Sequence, residues 1–166
     1  IRNPKDTTQL NTDQAWLKTN LAKFSRMLQA QKDLVQVGHL ILSELGPVVG
    51  AQQAEFYVLR GHPGEAPRLR LMASYASEGH GSHGKEIGMG EGLIGQCAFD
   101  KKKILLNSEM PPALQIGSGL AQRPPANVLV LPIVFEGQLR GVLELASLER
   151  FSATHLNFLD QLAESI

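Results

Sequence analysis

The chain's one thiol, Cys97, is the first side chain that could carry covalent chemistry. A cysteine acts as a nucleophile or redox centre only as a thiolate, which calls for a nearby cation, histidine or second thiol. Cys97 instead follows Leu93 and Ile94 by four and three residues, so helical spacing gives it an apolar flank. It reads as a small buried hydrophobe. A single cysteine also excludes an intrachain disulfide and any multi-thiolate metal site. His80 and His83, in Glu78-Gly79-His80-Gly81-Ser82-His83-Gly84, have the chemistry of a two-histidine metal site. A glycine-rich loop holds ligands poorly, however, and a solvated hairpin tip is the better reading. His155 reads as a surface or interface residue, and His39 and His62 carry no pattern. No catalytic residue, metal or cofactor is expected.

Glu144 alternates with Val142 and Ala146 on one face of a strand, where a carboxylate must be paired or solvated. Its two readings are a structural pair with Arg140 and an acceptor pointed into a pocket. Gly88, Gly90, Gly92 and Gly95 look like a phosphate loop but lack the Lys-Ser/Thr ending. Glycine is equally needed where a loop turns into a packed helix.

The elements that must position these residues follow from patterning. Residues 1–12 read as a frayed lead-in. A helix then begins near Thr12 or Asp13, with Leu17, Leu21, Phe24, Leu28, Gln31, Val35, Gly38, Leu42, Leu45 and Val49 spaced by threes and fours. Eight of those ten are apolar, which is a coiled-coil seam. A flanking stripe turns apolar only from Met27 (Leu34, Ile41, Val48), so the first part of the helix is expected to dimerise and the second also to pack on a sheet. Gln31 and Gly38 are its weak points, and Gly50 ends it. Strands are predicted at 54–59 and 68–76, the latter with Leu69, Leu71, Ala73 and Tyr75 on one face. A short helix at 92–101, a strand at 104–106, an irregular stretch at 107–126, and strands at 128–135 and 139–147 follow. Pro132 within the first of that last pair suggests a bulge or an unpaired side. Ser152 caps a last helix bearing Phe151, His155, Leu156, Leu159 and Leu162.

This order is an α+β domain: an antiparallel sheet with both terminal helices on one face. The size, 166 residues, suits one domain. Residues 1–34 form the lead-in and coiled-coil helix, and 35–166 the globular part with an outgoing connector helix. Sixteen Lys plus Arg balance sixteen Asp plus Glu. A neutral surface lacks the positive field that nucleic acid or an anionic membrane requires, so neither is an expected partner. Low self-repulsion favours association instead, and a homodimer is expected through Leu17, Leu21, Phe24, Leu28, Val35 and Leu42. The chain opens on Ile1 and stops within a helical pattern, which suggests a piece of a longer polypeptide.

Gly90-Glu91-Gly92-Leu93-Ile94-Gly95-Gln96-Cys97-Ala98 with Ile104-Leu105-Leu106, and Leu131-Pro132-Ile133 with Gly141-Val142-Leu143-Glu144-Leu145, resemble successive motifs of the GAF family of small-molecule sensor domains. The resemblance spans roughly residues 35 to 166. It implies five or six strands, with terminal helices on one face and a loop and short-helix pocket side on the other. The candidate lining of that pocket is Tyr75, Glu91, Leu93, Cys97, Ser118 and Glu144. Relatives that reduce free methionine sulfoxide use several cysteines, and bilin-bearing relatives place a His after the Cys; Cys97 fits neither. The Asn-Lys…Phe…Asp-Glu pattern of cyclic-nucleotide-binding relatives is absent.

Residues 13–34 resemble the helical exit of a HAMP segment, and Phe151 to Ile166 the helix leading into a kinase dimerisation domain. Together they imply a relay module of a bacterial two-component sensor histidine kinase. HAMP and kinase domains would lie in the same polypeptide, and a cytoplasmic domain would belong to an inner-membrane parent that it does not itself anchor. The rival expectations are a stand-alone small-molecule enzyme on this fold and a ligand-free spacer.

Overall fold

The computed structural model describes residues 4–30, 34–76, 85–107, 116–117 and 122–165. His80, His83 and Ser118 lie outside the described residues, as do the side chains of Leu28 and Val35. In chain order the elements are α1 (Pro4–Ala30), α2 (Leu34–Val49), β1 (Gln53–Arg60), β2 (Arg68–Tyr75), β3 (Glu86–Gly88), α3 (Gly92–Asp100), β4 (Ile104–Leu106), β5 (Ile116–Gly117), β6 (Gln122–Arg123), β7 (Asn127–Phe135), β8 (Gln138–Ser147) and α4 (Ala153–Ser165). Six strands form one antiparallel sheet in the order β3-β2-β1-β8-β7-β4, and β5 pairs with β6 alone. The expected α+β architecture is therefore present.

The sheet is buried on both faces, by different partners. On one face Ala54, Ala73, Leu129, Leu131, Ile133, Leu143 and Leu145 pack against the buried stripes of α2 (Ile41, Leu42, Leu45, Val49) and α4 (Phe158, Leu159, Leu162). On the other, Tyr57, Leu69, Leu71, Val128, Val130 and Val142 pack against Ile94, Cys97 and Ala98 of α3. The period of two along each strand sends alternate residues to the two cores.

Helix α1 starts at Pro4, well before the expected cap, because proline suits a first turn that has no carbonyl for its missing N–H. Its seam is used inside the chain. Phe24 is fully buried against the Phe158 ring, with centroids 5.7 Å apart, and Trp16 meets the same ring edge-on at 5.3 Å. Leu17 and Leu21 are half-buried on the same core, and Leu42 is fully buried beneath α2. Phe24 and Leu42 are thus core residues rather than the interface positions expected of them. Their burial supplies the covering surface that the widening apolar stripe required.

Gly38 is a point of close approach and not a break. A Cβ there would lie 3.1 Å from the Ala73 Cβ and 3.2 Å from the Phe56 ring. Helix α2 ends as expected at Gly50, whose positive φ of 77° allows Ala51 N–H to donate to the Gly46 carbonyl and Gly50 N–H to the Pro47 carbonyl.

Two irregularities re-aim side chains. A register shift in β1–β2 between Phe56 and Tyr57 leaves Met72 without an opposite number. It sends Leu69 and Leu71 to the α3 face but Ala73 and Tyr75 to the helix face, correcting the expectation that all four share one side. A second shift lies in β7–β8 between Ile133 and Val134. β4 pairs with β7 only from Val128 to Val130, so Pro132 has no strand on its outer side. Both features expected from Pro132 occur next to it. At the far end, Asn127 anchors three elements. Its amide donates to the Leu106 carbonyl, and its oxygen accepts from Phe151 N–H at 2.8 Å, seating the start of α4. Ser152 Oγ then accepts from His155 N–H at 3.0 Å, the expected cap.

Candidate functional site

The α3 face of the sheet gathers the polar groups that are hardest to explain as packing. Glu55 and Glu144 are direct partners on β1 and β8 and, by the strand alternation, point to the same side as Tyr57 and Val142. Like charges directly opposite one another are unfavourable in a sheet, and this pair is partly desolvated as well. The Tyr57 hydroxyl, on a ring 1% exposed, donates to Glu55 Oε2. A recess of about 40 Å³ opens at the pair, lined by Gln53, Ala54, Glu55, Glu144 and Ala146. That is enough for a water-sized group of a ligand.

The electrostatics follow from the geometry. Burial pushes the Glu144 carboxyl up to about 7, the Glu55 carboxylate pushes it the same way, and Lys85 opposes them. Lys85, which the sequence did not single out, is a cation acting on Glu144. Tyr57 is raised well above its ordinary value, first by burial and then by its bond to Glu55. Its hydroxyl therefore stays a donor at physiological pH.

The expected lining residues scatter. Glu144, Leu93 and Cys97 lie on the α3 side. Cys97 is fully buried, and burial, with Asp100 adding to it, pushes the thiol up to about 12. It is the inert hydrophobe its flank indicated. Tyr75 lies across the sheet, its ring against Gly46 of α2, because the β1–β2 shift re-aims it. Glu91 is exposed and staples the turn before α3: Gly88 N–H donates to its Oε2 at 2.7 Å, and an Arg68 nitrogen stands 4.0 Å away. Glycine at 95 has the packing role read for it, since a Cβ there would sit 2.3 Å from the Gly88 carbonyl oxygen. Glu55, Tyr57 and Lys85 were not singled out in the sequence. The alternation of Glu55 with Tyr57 was visible there, but its pairing with Glu144 depends on a register between residues 89 positions apart. Among the described residues no group of three or more His, Cys, Asp and Glu side chains could hold a metal, and no helix is long and apolar enough to cross a membrane.

A six-stranded antiparallel sheet with α2 and α4 packed on one face and the short helix α3 on the other defines a class of small α+β domains. The GAF domain family model matches residues 31–166, and the chain belongs to that family. Among solved structures it is similar to the GAF domain of a phosphoenolpyruvate-protein phosphotransferase from Coxiella burnetii, at TM-score 0.70 and 24% identity, covering 89% of this chain and 88% of that one. It is also similar to a GAF sensor protein from Burkholderia vietnamiensis (TM-score 0.64, 17% identity, 91% and 85% covered). A third is the free methionine-R-sulfoxide reductase of Neisseria meningitidis in complex with its substrate (TM-score 0.62, 21% identity, 86% and 81% covered). At these identities the likeness speaks for the fold. No curated protein matches the chain.

Proposed function

We propose that this GAF domain is a non-catalytic sensory relay. It takes a small molecule at the Glu55–Glu144 recess and passes occupancy to its terminal helices, within a homodimeric, membrane-anchored two-component sensor histidine kinase. The observation that carries the reading is the pair of facing, desolvated carboxylates on the α3 side of the sheet. A cationic or hydrogen-donating group placed between them would relieve both the repulsion and the missing solvation, so the favoured ligand class is a small amine or polyol. The kinase context rests on the resemblance of residues 13–34 and 151–166 to HAMP-exit and kinase-entry helices. The route to the output is short: β8 carries Glu144, and Leu143 and Leu145 on its opposite face belong to the core that also holds α1 and α4.

The test is a thermal-shift screen of small amines, polyols and, as a contrast, carboxylates. A ligand of the favoured class raises the melting temperature with concentration, and the rise is lost in Glu55→Ala and Glu144→Ala. Stabilisation by carboxylates alone, or equal stabilisation of both variants, overturns the reading.

A second reading, a small-molecule enzyme, is favoured by the likeness to the methionine sulfoxide reductase. The lone thiol, buried and pushed up to about 12, is a poor nucleophile for such chemistry. Turnover of free methionine sulfoxide by the purified chain with a thiol reductant would establish this second reading instead.

A further inference from the structure

We propose that the exposed end of the β1–β2 ribbon is a docking surface for a partner protein, and that it takes an acidic segment bearing two or more neighbouring carboxylates. The surface is separate from the Glu55–Glu144 recess, and the inference does not rest on the ligand reading. Its centre is three arginines. Arg60 of β1 is the direct partner of Arg68 of β2, and Arg70 pairs with Val58 two residues along the same ladder. Partners in a ladder share a face, so the three side chains stand on one side of the ribbon, opposite Leu59 and Leu69 of the α3 core. All three are exposed.

This arrangement is costly for the fold by itself. Like charges directly opposite one another destabilise an antiparallel pair, and Arg60 against Arg68 is such a pair. Arg68 is compensated within the chain, by Glu86 of β3 at 3.4 Å and by Glu91 at 4.0 Å. Those contacts show the chemistry that suits the patch, a carboxylate against a guanidinium fork. Arg60 and Arg70 form no ion pair with another described residue. Direct partners in a ladder lie about 5 Å apart, and residues two along a strand about 7 Å. An extended segment with carboxylates on alternate residues has the same spacing, so it can reach both unpaired guanidinium groups together.

The class of partner follows from shape and charge. A small molecule gains little on an exposed strand face, because it needs a concave site to bury its surface. A polypeptide adds several exposed contacts, each weak alone. Helix α2 favours the same sign of ligand. Its Gly46 stands at Tyr75 and its Gly38 at Ala73, so its N-terminal, positive end is directed towards the Arg70 end of β2. The chain as a whole is neutral, with sixteen cationic and sixteen anionic side chains, so the excess is local to this patch. A local excess suits a short acidic segment better than nucleic acid or an anionic membrane, which draw on a broad positive field.

The experiment is fluorescence anisotropy of a labelled hexaglutamate peptide with the intact chain. The natural chain should bind the peptide at low salt and lose about tenfold in affinity by about 0.3 M salt, where exposed charges are screened. Arg60→Glu should weaken binding about fivefold or more, and Arg60→Glu with Arg70→Glu should abolish it. Lys102→Glu with Arg150→Glu, an equal change of charge elsewhere on the surface, should leave it unchanged. Without peptide, Arg60→Glu stands opposite Arg68 and should melt no lower than the natural chain, which separates loss of docking from loss of the fold. Failure of the natural chain to bind the peptide at low salt overturns the proposal, as does an equal loss in the Lys102 and Arg150 double variant. Binding of inorganic pyrophosphate, or of vesicles containing phosphatidylserine, under conditions where the peptide does not bind overturns it too.

Discussion

Replacing Glu144 by glutamine should stabilise the ligand-free domain at pH 8 and do little at pH 5. In the folded chain the Glu144 carboxyl holds its proton up to about 7, whereas its ordinary value is 4.5. The folded state therefore binds the proton more tightly, and stability falls as pH rises through the window from 4.5 to 7. Above that window the full penalty of a buried carboxylate beside Glu55 is present. A gap of about 2.5 pH units corresponds to ~3.4 kcal/mol as an upper bound. Water reaching the recess reduces this to about 2 kcal/mol, the scale of partial desolvation of a charged group. At about 2–4 °C per kcal/mol for a chain of this size, the Glu144→Gln melting temperature should exceed that of the natural chain by roughly 4–8 °C at pH 8. The difference should shrink towards zero by pH 5. Differential scanning calorimetry of both proteins over that pH range is the assay. A difference that does not vary with pH, or that reverses sign at pH 8, refutes the account of Glu144 as a charge held against its solvation.

Four further outcomes test the framework around the site. Phe158→Ala removes the ring shared by Trp16 and Phe24 and should cost about 3–5 kcal/mol in urea unfolding, with the emission of Trp16, the chain's sole tryptophan, moving to the red. Gly95→Ala forces a Cβ onto the Gly88 carbonyl and should destabilise by about 1–3 kcal/mol or more, read by the same assay. Cys97 should resist Ellman's reagent at pH 8 and react fully in denaturant, because burial keeps it protonated. His155 packs on Trp16 at 5.0 Å and is held below its ordinary 6.5 by burial, against the Val49 carbonyl and Asp13. The unfolded chain thus takes up the proton first, so stability should drop as pH falls through about 6.5, and His155→Gln should remove that part of the slope.

Short-range chemistry explains what was legible from the residues alone. The αL end at Gly50, the Ser152 cap, the start of α3 and the limits of β4 each depend on a few neighbouring residues, and each is where local preference puts it. The burial of Cys97 followed in the same way from its helical flank. The dimer seam shows the limit of periodicity. A stripe of leucines with Phe24 among them states that something must cover it, but not whether the cover is another chain or this chain's own α4, whose Phe158 lies 134 residues beyond Phe24.

The candidate site divides along the same line. Composition and strand alternation by themselves determined a neutral α+β domain with a carboxylate at position 144 on an inward strand face. They also determined that the only thiol is packed away. Tertiary structure alone decided that Glu55 faces Glu144, that Tyr75 points to the opposite core, and that the edge of β7 stays open beside α4. The reason is register: one extra residue in a paired strand moves every later side chain to the other face. That extra residue is set by packing among distant segments, not by the residues on either side of it.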